Sequence, residues 1–327
     1  MSDLLTKCTV CHALLDEEDL FCANCGTEAP AGHGSHLSPA PLTATHNFEC
    51  QGCGASMSYD ASARTLRCPF CGSEKLAEQK DAKVLRPRWV VPFAIGQSDA
   101  LARMRQWMSS SFWRPGDLAR AAQITQLTQV YVPYWVFAAR VYTYWTADTS
   151  QTPPGARGDW FPMSGHNQAS YSGLVVGASS VLTPSETHAL QPFDLSASVP
   201  PDQVDLDNVV YEQFRVQRKY ARPLAQAGLE ELERGACRKY VPGNCRNMKV
   251  NVRVEGLTGE PVLLPIFIMA YRYKDQVHRF LVSGQTGKCT GTAPTSYAKI
   301  AGVVAIVIGV ILAIVVCIGV IGAIAGR

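Results

Sequence analysis

The chain reads as α+β, and three observations carry that class. Cysteine pairs crowd the first 71 residues, the middle mixes strand-like alternation with two helix-like stretches, and residues 300–326 hold no charge. The order this implies is two small N-terminal zinc ribbons, an antiparallel-sheet-rich α+β body and a single C-terminal transmembrane helix.

The cysteines come first. Eight of the twelve lie in residues 1–71, all as Cys-x-x-Cys: Cys8/Cys11 with Cys22/Cys25, and Cys50/Cys53 with Cys68/Cys71. The opening residues show no basic run followed by an apolar one, so the expectation is a chain without a secretory signal. Paired cysteines in a reducing compartment act as metal ligands rather than disulfides. Each pair forms a tight knuckle, and two knuckles bring four thiolates into a tetrahedron with Zn–S near 2.3 Å. Such small units have almost no core, so the metal supplies their folding energy. Two structural Zn2+ sites are therefore expected, with ligands Cys8, Cys11, Cys22 and Cys25 in one and Cys50, Cys53, Cys68 and Cys71 in the other. Four thiolates leave no open coordination position for a substrate. His12, beside Cys11, is unnecessary to a complete cysteine set.

The boundaries follow from composition: ribbon 1 over residues 1–28, a Pro/Gly/Ala/Ser-rich linker over 29–46, ribbon 2 over 47–80, the body over 81–298 and the anchor over 299–327. In the body, Ser98 and Asp99 are candidate caps for a helix carrying Leu101, Met104 and Met108, ending near Phe112. A second helix is predicted from Pro223 to Tyr240, with Leu224, Leu232 and Ala236 near one face and Pro242-Gly243 stopping it. Residues 129–147 are aromatic and β-branched, residues 247–256 alternate, and residues 261–273 and 277–283 read as a hairpin around Lys274-Asp275-Gln276. The aromatic residues between 89 and 171 fit the core of that sheet.

Residues 300–326 would make a helix about 40 Å long, more than the ~30 Å hydrocarbon core needs. Lys299 and Arg327 bracket it, which predicts a tail anchor with the N-terminal bulk in the cytoplasm. Ala305, Gly309, Ala313 and Cys317, with Gly322 and Gly326, form a small-residue stripe that gives a route to homo-oligomerisation.

Charge separates partner classes. Residues 1–80 carry five Lys/Arg against ten Asp/Glu, whereas residues 81–299 carry 24 against 17. Affinity for nucleic acid comes mainly from cations. Ribbon 1 has one lysine against six acids, and in ribbon 2 Arg64, Arg67, Lys75 and Lys80 cancel Glu49, Asp60, Glu74 and Glu78. Protein partners are expected for the ribbons, and nucleic acid is disfavoured. The basic body suits an anionic lipid surface.

The stretch "FLVSGQTGKCTG" (280–291) has the outline of a phosphate-binding loop. Aligned on Gly287-Lys288, Val282 stands at the first glycine and Cys289 at the hydroxyl position, while Gly291 and Pro294 oppose the helix that must follow. A turn between two strands is the better reading. The histidines are scattered, and Cys237, Cys245 and Cys289 form at most a third cysteine set, so no catalytic constellation emerges and the chain reads as a non-enzyme.

"FECQGCGASMSYDASARTLRCPFCGS" (48–73), "VVPF" (90–93), "YVPYW" (131–135) and "LPIFIMAYRYKDQVHRFLVSGQTGKCTGTAPTS" (264–296) together resemble a family of bacterial membrane-associated proteins with a transcription-factor-IIB-type zinc ribbon, often labelled primosomal protein N′-like. The resemblance covers residues 47–298 and carries over Cys50, Cys53, Cys68 and Cys71 as ligands; the first ribbon departs from the commoner pattern. Members are often encoded beside membrane-stress or membrane-organising proteins, which implies a scaffold. The functional expectation is a tail-anchored adaptor that recruits protein partners to the bilayer. A membrane-held nucleic-acid-binding protein is the alternative, and an enzyme with a pocket in the body is the weakest.

Overall fold

The computed structural model describes residues 6–10, 12, 14–15, 42–43, 47–58, 67–79 and 83–325. Strands β1 (Thr6–Lys7) and β2 (Leu14–Leu15) form a hairpin, followed by β3 (Leu42–Thr43), β4 (Asn47–Cys50), β5 (Ser56–Ser58), β6 (Leu76–Glu78), β7 (Lys83–Val84) and β8 (Trp89–Val90). Helices α1 (Gln97–Ser109) and α2 (Leu118–Ala121) precede β9 (Gln123–Thr149) and β10 (Phe161–Gly177). Then come α3 (Pro184–Ala189), β11 (Val210–Glu212), α4 (Arg218–Arg238), β12 (Cys245–Tyr273), β13 (Gln276–Ser283), β14 (Cys289–Gly291) and α5 (Tyr297–Ala325). The described residues thus form a mixed α+β fold with a sheet-rich body and one C-terminal apolar helix.

The spine is the antiparallel pair β9–β12, strands of 27 and 29 residues in register from Cys245↔Thr149 to Arg272↔Gln123. The sheet runs β14-β13-β12-β9-β11-β5-β4-β6, with β10 also pairing β9 and β8 also pairing β12. Proline lacks the N–H a ladder needs, and Pro133 and Pro265 stand where a partner strand changes. Pro133 falls between the β11 pairing at Val130–Tyr131 and the start of β10 pairing at Tyr134. Pro265 falls between the β8 pairing at Val262–Leu263 and the β13 pairing from Ile266.

Alternation along these strands sends successive side chains to opposite faces. Val130, Val132, Tyr134, Val262, Leu264, Ile266 and Ile268 form one core with Ala55, Met57, Cys68 and Phe70 of the second cysteine-rich unit. On the other face Phe267, Met269, Tyr271, Phe280 and Val282 meet Ala100, Met104 and Met108 of α1. Helix α4 lies along the distal half of the sheet, with Ala221 and Ala225 at Trp135 and Phe137, Leu229 at Ala139 and Val141, and Cys237 at Trp145 and Ala147.

Several expectations need correction. Ser98 and Asp99 do not cap α1: Gly96 is the N-cap without a side-chain bond, and Asp99 lies in the first turn, where its charge suits the helix dipole. Helix α4 begins at Arg218 and holds Pro223 inside it. Its predicted apolar face is also wrong, because Leu224 and Leu232 are exposed while Ala221, Ala225, Leu229, Glu233 and Cys237 are buried. Ala221 and Ala225, one turn apart, let the first half of the helix sit close to the sheet at Trp135 and Phe137, while Leu224 and Leu232 turn outward. Segments 247–256 and 261–273 are parts of one strand, β12. The glycine-lysine stretch is a turn: Gly287 N–H donates to the Ser283 carbonyl, and the chain returns as β14 against β13. The strand that follows leaves no helix N-terminus for phosphate.

Candidate metal centre

Two knuckles of one design build the centre. In the first, Gly54 N–H donates to the Cys50 carbonyl at 2.7 Å and Cys50 N–H to Ala55 at 2.8 Å. In the second, Gly72 N–H donates to Cys68 at 2.8 Å and Cys68 N–H to Ser73 at 2.9 Å. Gly54 and Gly72 both have φ +75°, a backbone conformation that side chains resist and that the turn back toward the first cysteine requires. Strand β4 leads into the first knuckle, and its pairing with β5 and β6 brings the two knuckles together.

The result is a cluster in which the sulfur atoms of Cys50, Cys53, Cys68 and Cys71 all lie within 4.8 Å of one another. Cys50 Sγ is 3.5 Å from Cys71 Sγ, and Cys53 Sγ is 3.5 Å from Cys68 Sγ. A tetrahedron with metal–sulfur bonds near 2.3 Å has edges of about 3.8 Å, so the four sulfurs fit one ion. Cys50 and Cys68 are fully buried and Cys71 is exposed.

Their acidities differ for physical reasons. Burial opposes the Cys50 thiolate, but backbone N–H groups of Cys53 and Gly52 and the sulfurs of Cys71 and Cys68 outweigh it and bring its pKa down to about 7. Burial pushes Cys53 up to about 11 and raises Cys68 further. Burial thus holds Cys53 and Cys68 toward the protonated form, and a bound dication would reverse that by stabilising their thiolates.

Of the other predicted ligand set, Cys8 is buried, and Cys11, Cys22 and Cys25 lie outside the described residues. One bond of the pattern recurs at Cys8: His12 N–H donates to the Cys8 carbonyl at 3.1 Å, and His12 takes φ +57° where the other knuckles have glycine. Val10 N–H also points at Cys8 Sγ, 3.5 Å away. The predicted linker over 29–46 lies almost entirely outside the described residues. Cys237 and Cys245 share a cluster with Trp145, whereas Cys289 packs against the α1 side of the sheet, so these three do not meet.

The second cysteine-rich unit is continuous with the body. Strand β11 pairs antiparallel with β5 and parallel with β9, joining the ribbon hairpin to the spine. A buried polar cluster accompanies the junction: Ser58 Oγ donates to Asn47 Oδ1 at 2.7 Å, and Gln213 Nε2 donates to the same oxygen at 2.5 Å. Beside it Glu212 is buried, accepts from Ser180 N–H and Oγ at 2.7 and 3.0 Å, and is pushed by burial up to about 7. A cleft of about 510 Å³ lies next to the second knuckle, lined by Arg67, Cys71, Gln126, Arg272, His278 and Arg279 among others.

Two features went unseen in the sequence. The distal face of β9, β10 and β12 opposite α4 is open, with Tyr144, Arg140, Lys249, Asn251, Arg253 and His166 exposed. Phe112 and Trp113, which the sequence assigns to a helix end and a sheet core, are also exposed. Strand register could have exposed the first had the boundaries of β10 been legible; the second has no sequence signal beyond the pair itself.

These residues define a sheet-rich α+β protein with a four-cysteine cluster able to hold one metal ion and an apolar helix long enough to cross a membrane. The chain is similar to YdjG of Bacillus subtilis strain 168, described as an uncharacterized protein: the two are 23% identical over 315 residues, covering 78% of this chain and 92% of that protein. It is also similar to PGR5-like protein 1B, chloroplastic, of Arabidopsis thaliana, 42% identical over 51 residues, which is 16% of each chain. No family model and no solved structure matches the chain.

Proposed function

We propose that this protein is a membrane-anchored zinc-ribbon adaptor that recruits protein partners to the bilayer. The observation that carries the reading is the closed four-cysteine cluster, hydrogen-bonded through β5 and β11 into a body that ends in an apolar helix. Zinc is the ion favoured by four thiolates in a tetrahedron, and with all four positions taken it serves structure rather than catalysis. The repeated backbone pattern at Cys8 and His12 supports a second zinc held by Cys8, Cys11, Cys22 and Cys25. The resemblance to membrane-associated proteins with a transcription-factor-IIB-type ribbon supports the same assignment. Among the described residues β6 is the last strand of the sheet on the ribbon side, and a strand edge is a ready acceptor for an extended partner segment. The test is crosslinking in membranes followed by partner identification, comparing the wild type with Cys50→Ser/Cys53→Ser. Ribbon-dependent partners should disappear from the variant, and identical recovery from both would remove the adaptor reading.

A second reading rests on the open distal face. Tyr142 and Tyr144 stand in register with Arg253 and Asn251 on one side and with Gln168 and His166 on the other, and Arg140 and Lys249 extend the row. Aromatic rings among cations on a sheet form a platform on which bases stack. Salt-dependent binding of single-stranded RNA or DNA by the full chain, lost in Tyr144→Ala, would favour it; no binding at low salt would dismiss it.

A further inference from the structure

We infer that the loop between α1 and α2 is a second membrane contact, seated in the lipid interface beside the first turn of α5. Phe112 is 62% exposed and Trp113 46%, their rings in an edge contact with centroids 5.3 Å apart. Two neighbouring large apolar side chains turned to water are costly unless something covers them. What lies beside them is the root of the apolar helix. Ser296 N–H donates to the Trp113 carbonyl at 2.8 Å, and Lys299 Nζ donates to the Arg114 carbonyl at 2.9 Å. The Lys299 ammonium also stands 5.3 Å from the centre of the Phe112 ring. Tyr297, the first residue of α5, is 82% exposed.

The hydrogen bonds fix the loop's depth. A helix rises about 1.5 Å per residue, so groups bonded to Ser296 and Lys299 lie within roughly one turn of the point where α5 starts. None of the window Tyr297–Ile314 is buried in the protein. If that window enters hydrocarbon, Phe112, Trp113 and Tyr297 arrive together at headgroup level, with Lys299 and Arg114 among them. Tryptophan and tyrosine rings with neighbouring cations are the side chains that settle at that level. The loop is also held stiff: the Arg114 guanidinium lies 3.4 Å from the centre of the Trp107 ring and donates to the Trp107 carbonyl and to Ser110 Oγ. A rigid loop bound to the helix root gives the body two points of contact with the bilayer, which sets its tilt.

This inference rests on the anchor reading of α5, and the test separates the two. The full chain is reconstituted into phosphatidylcholine–phosphatidylglycerol vesicles carrying a nitroxide high on the acyl chain. Flotation reads the helix, and tryptophan quenching reads the loop. Trp113→Phe should float like the wild type but lose most of the nitroxide quenching, whereas Trp160→Phe, altered beyond the far end of β9, should keep it. A chain that does not float removes the anchor and this proposal together. A chain that floats with quenching unchanged by Trp113→Phe overturns the loop alone. So does a Trp113 shielded from both the lipid nitroxide and aqueous iodide, because a protein surface would then cover it.

Discussion

The cysteine-rich unit and the long-stranded sheet it joins are stabilised by different means. The β9–β12 spine buries side chains on both faces along its proximal half, and its stability is spread over many apolar residues. The described residues of the cysteine-rich unit, 47–58 and 67–79, contribute few large apolar side chains and gather around one point, the four sulfurs. Yet Met57, Ala55 and Phe70 share a core with Val130, Ile266 and Leu264, and β11 bonds to both regions. A small unit gathered around a candidate metal site can thus act as one wall of a larger core. Disrupting its four-cysteine cluster would therefore be felt on the sheet face as well as in the knuckles.

Breaking the metal side should have the largest effect. On the proposed zinc assignment, Cys68→Ser should lower the bound metal by about one ion per chain and open residues 47–58 and 67–79 to protease, because structural zinc contributes roughly 10 kcal/mol or more to such units. Metal analysis and limited proteolysis of the full chain in detergent check this.

A blow to the shared wall should cost less. Leu264 of β12 is fully buried on the face that the cysteine-rich unit covers, and Leu264→Ala should destabilise by roughly 2–5 kcal/mol in urea unfolding without changing bound metal in the folded state.

The junction should respond to pH. The Glu212 carboxyl is raised from its ordinary value to about 7 in the fold, so between about 4.5 and 7 the folded state holds a proton that the unfolded state has released. Stability from this group is greatest below that window and falls as pH rises through it, by up to roughly 3 kcal/mol. Glu212→Gln should flatten the decline between about pH 4.5 and 7. An equally steep decline in the variant would show that the dependence arises elsewhere.

The smallest effect belongs to the exposed side of α4: Leu232→Ala, at a residue 45% exposed, should stay within about 0.5 kcal/mol, whereas the same change at buried Leu229, three residues earlier, should cost several kcal/mol.

That pair also shows where the sequence was silent. Periodicity alone favoured Leu224 and Leu232 as the inner face of α4, because it weighs side-chain hydrophobicity and not the approach distance that Ala221 and Ala225 allow. The knuckles were legible since their chemistry is local: cysteine spacing and a following glycine fix the turn. The hairpin at Lys274-Asp275 and the apolar helix were legible for the same reason. The union of two segments into β12, the insertion of β11 beside β5, and the welding of the ribbon to the body depend on pairings between residues far apart in sequence. Phe112 read as a helix end and Trp113 as a core aromatic, because the contact that places both beside the root of α5 joins residues far apart in sequence.

The most direct test of a metal-held unit forming one wall of the body is hydrogen exchange on the full chain in detergent, before and after stripping with a strong zinc chelator. Amides of residues 47–58, 67–79 and β11 should lose protection together with the metal, while the central residues of β9 and β12 remain protected. Unchanged protection across residues 47–58 and 67–79 in the metal-free protein would contradict the account.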